Sequence, residues 1–471
     1  MYLSLLAALV SGRVIAQNLP PEVDAALQRS KLPRDAIAML VVDAEGKGPP
    51  RLSYRANVAM NPASVMKLVT TYAALDLLGP AYVWNTPVFI EGAVRDGSLY
   101  GNLVIKGLGD PKLVAERLWL LLRRVQGLGV KTITGDILLD HSAFVLPASD
   151  PADFDGEPLR PYNVAPDALL LNYKSLVMTF TPDRTVNTAQ VQFDPPLAGV
   201  AEQTTVPLSS GECGDYRATL RADFSDPTRI RFGGTYPAAC LEKVWPVAYA
   251  DPKSYAARAV EGMWLEMGGK LGGTVRDGKV FTPAGVAATP AFEVSSPTLA
   301  EVIRDVNKYS NNVMAQQLFL TLSLPARTSG GSGVATLEAS REVIKRWWQE
   351  RITGAEAPLM DNGSGLSRNE RISVQALGRL LQTAYLSPQM PELMSSLPLA
   401  GVDGTLRRNR SKAYGSAHLK TGSLRDVVAV AGYVHAASGR RYVLVALVNH
   451  ANADAARPAI NALLDWAVKD N

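Results

Sequence analysis

Three short stretches of this chain carry residue types at spacings suited to covalent chemistry. In NPASVMKLVTTYAALDLLGP, residues 61 to 80, Ser64 and Lys67 lie three apart at the start of a strongly apolar helical pattern. A serine hydroxyl is a weak nucleophile at neutral pH and needs a base within hydrogen-bond reach. On a helix, residues i and i+3 are neighbours with Cβ atoms about 5–6 Å apart, so Lys67 reaches the serine oxygen. The lysine serves as a base only when neutral, which requires burial or a nearby cation. Free backbone N–H groups at the helix start also suit developing negative charge near Ser64.

The second stretch, Lys420-Thr421-Gly422-Ser423, leads into the apolar run VVAVAGYV. As a strand it puts Lys420 and Gly422 on one face and Thr421 and Ser423 on the other. Gly422 lets another backbone or a ligand come close. A cation, a hydroxyl and N–H groups on an edge strand suit an extended substrate ending in a carboxylate. The third stretch is Ser310-Asn311-Asn312, between two helical patterns. A rival Ser-x-Asn occurs at Ser367 to Asn369 in a Gly-rich loop, but the turn between helices is better placed to project side chains into a cleft. Each stretch alone is weak, since common residues meet at one spacing by chance.

The elements around these stretches suggest an α/β domain interrupted by a large insertion. PPEVDAALQRSKL reads as an amphipathic helix, and AIAMLVVDAEG and RLSYRANVAM as strands. At the other end, VVAVAGYVHAASGRRYVLVALVNH reads as a hairpin and ARPAINALLDWAVKD as a closing helix, so both ends are expected to share one sheet. Residues from about 86 to 290 are richer in short β segments and Gly turns.

Composition narrows the possibilities. With 471 residues, 47% hydrophobic and 20% charged, two or three globular domains are expected. A net charge of +4 from 48 basic and 44 acidic residues, without a long Lys/Arg run, argues against nucleic acid as a partner. The N-terminal MYLSLLAALVSGRVIAQ reads as a signal peptide cleaved after Ala16, hence an exported, periplasmic or extracytoplasmic protein. No later stretch is long and apolar enough for a transmembrane anchor. Cys213 and Cys240, an even pair in an exported chain, are expected to form a disulfide worth about 3–4 kcal/mol in the chain-entropy model. His141, His418, His435 and His450 form no His-Glu-x-x-His pair, so neither metal nor cofactor is expected.

The three stretches, in the order SxxK, SxN, KTG, match the motif set of β-lactamases and penicillin-binding proteins, with Asn311 where the middle motif has Asp. The chain resembles the low-molecular-mass class C penicillin-binding proteins, D-alanyl-D-alanine carboxypeptidases and endopeptidases with domains inserted after the serine helix. The long gap between Ser64 and Ser310 supports that branch, as do GDPKL, RPYNVAPDALLLN, SPTLAEVIRDVNKYSNN, MDNGSGLSR and LAGVDGTLRRN.

This resemblance implies a penicillin-binding transpeptidase-like fold, an antiparallel sheet flanked by helices and split by β-rich inserts. The expected division is a catalytic domain at 17–85 and 291–471, an inserted domain at 86–164 and 250–290, and a further β-rich insert at 165–249. It implies catalysis by Ser64, Lys67, Ser310, Asn312 and Lys420, with Thr421, Gly422 and Ser423 binding substrate. Asp155 is expected to meet a stem-peptide amine and Arg368 a carboxylate. Implied partners are peptidoglycan stem peptides and β-lactam antibiotics. Two rivals are a β-lactamase on the same scaffold and a catalytically silent penicillin- or peptidoglycan-binding protein. The first lacks a well-spaced deacylating acid, Asp167 standing at the wrong spacing; the second has no need of a lysine beside the serine.

Overall fold

The computed structural model describes residues 18–281, 288–324 and 334–470, so the expected signal segment lies outside the described residues. Both ends of the chain build one antiparallel sheet. Strands β1 (Ile37–Asp43) and β2 (Leu52–Tyr54) join β3 (Ala417–Leu424), β4 (Val427–His435) and β5 (Arg441–Asn449) in the order β2-β1-β5-β4-β3. The central strands are continuous apolar runs because helices cover both faces. These helices are α1 (Pro21–Ser30), α2 (Lys67–Leu78), α3 (Leu299–Lys308), α4 (Asn312–Thr321), α5 (Leu337–Arg351), α6 (Val374–Tyr385) and α7 (Arg457–Lys469). Helices α1 and α7 share a core with one face, while α2 to α6 share a core with the other.

The strand register separates the chemistry of β3 onto two sides. Lys420 lies opposite Ala431, in a row continued by Val445 and Leu40, whose side chains belong to the α2 core. Thr421 lies opposite Val430, in a row continued by Ala446 and Met39 on the α1 and α7 side. The two-residue alternation expected from the sequence is therefore the one observed. β3 is an edge strand, so one side stays open to a ligand.

Helix ends follow local signals. Thr298 and Glu301 form a capping box at the start of α3. Asn311 caps α4, its side chain accepting from the Met314 N–H at 3.1 Å. Helix α2 ends at Gly79, which adopts a positive φ of 81°. From Lys67 to Leu75 every residue of α2 is buried. It is a core helix, apolar nearly all round, and this carries Lys67 inside the protein.

Between α2 and α3 the chain forms further sheets. A seven-stranded mixed sheet is built on Asn85–Arg95 and Ser98–Lys106, and a five-stranded sheet on Ser175–Asp183 and Thr188–Asp194. Leu103 and Ile105 from the first and Met178 and Phe180 from the second meet in one apolar core with Tyr255 and Trp264. One boundary moves. Phe292–Ser295 pairs antiparallel with the strand at Asn85, so the inserted sheet extends to 295 rather than ending at 290. This two-faced edge strand, FEVS, is too short for its pattern to assign it a sheet.

Cys213 and Cys240 are disulfide-bonded, with Cα atoms 4.5 Å apart and a sequence separation of 27. Among the described residues no helix is long and apolar enough to cross a membrane. Replacing both cysteines with serine should lower the stability of the insert by about 3 kcal/mol. A fall in the urea midpoint against the oxidised parent measures this.

Candidate active site

Ser64 sits in a single 3-10 turn, Ala63–Met66, that runs into α2. Ala63 takes a positive φ of 47°, unusual for a residue with a side chain. Its conformation is held from several directions. The Asn61 side chain accepts from the Ala63 N–H at 2.8 Å, and the Asn61 N–H donates to Asn449 Oδ1 at 2.8 Å. Asn449 Nδ2 returns a bond to the Asn61 carbonyl at 2.9 Å, so the end of β5 clamps the turn. Two glycines let other backbones close in. A Cβ on Gly422 would stand 2.5 Å from the Pro62 carbonyl, and one on Gly365 2.0 Å from the Ala63 carbonyl.

Lys67 is fully buried, and three oxygens surround its nitrogen. Nζ lies 3.0 Å from Ser64 Oγ, 2.6 Å from Asn312 Oδ1, and in contact with the Ser364 carbonyl. Neither Asn312 Oδ1 nor the carbonyl can give up a proton. A neutral amine can satisfy both with its two N–H bonds and leave its lone pair for the Ser64 hydroxyl. Burial, then the charge of Lys420, holds the Lys67 pKa well below the usual lysine value, while Glu370 acts in the opposite sense.

Lys420, also fully buried, donates to Ser310 Oγ at 2.9 Å and to the Thr421 carbonyl at 2.8 Å. Burial lowers its pKa to about 7. Ser310 has a positive φ of 58°, which orients its side chain at the turn between α3 and α4. The rival serine serves the loop instead. Ser367 Oγ donates to Asp361 Oδ2 at 2.6 Å and accepts from the Asn369 N–H at 3.0 Å.

The insert reaches this centre. Asn312 Nδ2 donates to the Tyr162 carbonyl at 3.0 Å, and the Tyr162 hydroxyl donates to Asp155 Oδ2 at 2.9 Å. Asp155 is exposed and also accepts from Asn163 Nδ2 at 2.7 Å. Burial alone would raise its pKa, but the Asn163 and Tyr162 bonds, with the Glu157 N–H and the Arg160 charge, together outweigh it, so its pKa is lowered. Arg368 pairs with Asp426 at 2.7 Å, just past β3, and lies 4.8 Å over the Phe154 ring. Asp155 and Arg368 thus belong to neighbouring loops beside the site.

Some participants have no signal in the sequence. Glu370 is fully buried, and its Oε1 accepts from the N–H groups of Asp361, Asn362 and Gly363 at 3.1, 3.2 and 3.2 Å. It thereby fixes the loop that presents the Ser364 carbonyl to Lys67. Burial pushes the Glu370 pKa up to about 7 despite these bonds. Thr405 Oγ1 lies 2.7 Å from Thr421 Oγ1, extending the hydroxyl row along β3. Asp167 is held elsewhere, by His141 and by Lys174 at 2.7 Å. Burial opposes its ionisation, yet the His141 and Lys174 contacts bring its pKa to about 2.

The site therefore joins a serine, a buried lysine of depressed pKa, a second serine on a second buried lysine, and an amide that ties the first lysine to the Tyr162 carbonyl. A profile of the D-Ala-D-Ala carboxypeptidase 3 (S13) family matches residues 19–469. The chain belongs to that family. Among S13 relatives, a D-alanyl-D-alanine carboxypeptidase from Actinomadura is 26% identical over 473 residues, covering 94% of this chain and 83% of that protein. The D-alanyl-D-alanine carboxypeptidase DacB of Haemophilus influenzae is 24% identical over 415 residues, covering 84% and 82%. The crystal structure of penicillin binding protein 4 (dacB) from H. influenzae has the same fold. It superposes with a TM-score of 0.71 at 22% identity, covering 94% of this S13 chain and 99% of that one.

Gly365→Ala tests how tightly the nucleophile's turn is packed. At a φ of 80° and with a backbone carbonyl in the way, the added methyl should destabilise by at least about 1–3 kcal/mol. Chemical denaturation of variant and parent measures it.

Proposed function

We propose that this S13 chain is a serine D-alanyl-D-alanine carboxypeptidase that cleaves peptidoglycan stem peptides through an acyl-enzyme on Ser64. The observation that carries the reading is the buried Lys67 nitrogen, 3.0 Å from Ser64 Oγ, with its other two neighbours able only to accept. Ser64 Oγ attacks the carbonyl between the two D-alanines while its proton passes to Lys67. The backbone N–H groups of Ser64 and Ser423 receive the oxyanion, typically worth about 3–4 kcal/mol per donor. Ser310, polarised by Lys420, gives a proton to the departing amine. Lys420 and Thr421 attract the terminal carboxylate, and Asn312 holds both Lys67 and the substrate amide. Water then cleaves the ester and releases the shortened peptide.

A β-lactam acylates Ser64 by the same route, but its amine stays tethered through the opened ring, and the whole acyl group is hydrolysed off slowly. Endopeptidase cleavage differs only in whose amine departs. Asp155 is proposed to meet an amine of the stem-peptide side chain and Arg368 a carboxylate, a reading supported by their neighbouring loops and the Phe154 contact. Export is proposed from the N-terminal sequence and supported by the Cys213–Cys240 disulfide.

Ser64→Ala should abolish covalent capture of a fluorescent penicillin, and Lys67→Ala should slow it by about 10²–10⁴-fold. Retained labelling in the Ser64 variant would sink the reading. The pH profile gives an independent check. Acylation requires neutral Lys67 and charged Lys420, so its rate should rise through the depressed pKa of Lys67. It should then fall near pH 7 as Lys420 loses its proton. In Lys420→Arg the alkaline limb should vanish, because the guanidinium keeps its charge.

A further inference from the structure

The residues that deal with the departing group stand on different elements. Ser310 follows α3, Lys420 and Thr421 lie on β3, and residues 398–406 run between the two. The start of this segment is clipped to β3. The Leu419 N–H donates to the Pro398 carbonyl and the Ala400 N–H to the Ala417 carbonyl, both at 2.9 Å. Beyond these bonds the segment turns onto the end of α3. Gly404, at a positive φ of 54°, packs so close there that a Cβ would stand 2.6 Å from the Lys308 carbonyl.

Beside this contact, Asp403 Oδ2 accepts from Lys308 Nζ at 2.6 Å and Oδ1 from the Leu399 N–H at 2.8 Å. Lys308 is buried, and it is the last residue of α3, two before Ser310. Burial alone would raise the Asp403 pKa, but the Leu399 N–H, the Lys308 contact and the Arg304 charge together outweigh it, so its pKa is lowered. Two residues on from Asp403, Thr405 Oγ1 meets Thr421 Oγ1 at 2.7 Å. Ser64, Ser310, Thr405 and Thr421 all line one cavity of about 630 Å³ that runs to α7, whereas Lys308 and Asp403 stand behind its wall.

We propose that Lys308 and Asp403 are a positioning pair for the reaction proposed above, a reading on which this inference rests. Their ion pair ties the end of α3 to the segment clipped onto β3. It thereby holds Ser310 at its 2.9 Å bond from Lys420 and keeps Thr405 against Thr421. Ser310 needs that support, because its positive φ of 58° is one that a residue with a side chain rarely adopts. Removing one partner leaves the other uncompensated beside the core and frees the segment to shift. The general acid and the carboxylate-binding hydroxyl would then lose their places together.

Three N-acyl-D-alanyl substrates separate these effects: the peptide ending in D-alanine, the thioester of thiolactate, and the ethyl thioester. All three give the same acyl-enzyme, so differences in kcat/KM report acylation. In the peptide the C–N bond breaks and the amine must take a proton from Ser310. In the thioesters the C–S bond breaks and a thiolate departs without one; the ethyl thioester also lacks the carboxylate. In Asp403→Asn the kcat/KM for the peptide should fall about 10²-fold, the cost of misplacing a catalytic group by about 1 Å. The loss should be smaller for the thiolactate ester and smallest for the ethyl thioester. Lys308→Met should give the same order, while Lys308→Arg, which keeps the ion pair, should retain most of the activity on all three. Thermal unfolding followed by circular dichroism checks folding. Should Asp403→Asn not fold, Asp403→Glu, with its charge on a longer arm, should show the same order at smaller amplitude. Equal losses on all three substrates, or no loss on the peptide, overturns the positioning role and leaves the carboxypeptidase reading standing. A wild-type protein that cleaves none of the three overturns both.

Discussion

Two lysine side chains are buried within one small site, and the interior cannot hold both as cations. Removing an ammonium from water carries a penalty of several kcal/mol, and a like charge close by adds to it. Lys67 is the one that yields, since burial and the charge on Lys420 act on it together. Much of the surrounding structure serves this imbalance. Helix α2 is apolar enough to carry a lysine into the core, and the Ser364 and Asn312 oxygens use the two N–H bonds of the neutral form. Glu370 opposes this shift, from a carboxyl that is itself reluctant to ionise.

Edge strand β3 keeps the two halves of the chemistry apart. Its alternation turns Lys420 inward to Ser310, while Thr421 faces the side where the groove widens under α7. The buried lysine and the threonine hydroxyl are thus on opposite faces of one strand. The missing side chains at Gly422 and Gly365 are part of the same arrangement, because the Ser64 turn needs the space they leave.

The residues legible in the sequence were those whose relation is local. Ser64 and Lys67 are one helical turn apart, and strand alternation assigns Lys420 and Thr421 to their faces. The shared terminal sheet was legible because its strands are long apolar runs. Contacts made across the chain left no such trace. Glu370 sits among ordinary polar residues in SRNERIS, and only folding brings its loop to Lys67. The bond from Asn312 to the Tyr162 carbonyl uses a backbone atom that any residue would supply.

The paired amides of Asn61 and Asn449 join positions 388 apart in sequence, one just before the nucleophile and the other at the end of the last strand. A chain still emerging from the ribosome cannot make that pair until almost all of it has been synthesised. The turn that holds Ser64 therefore gains this clamp only once the last strand has been made and folded against it.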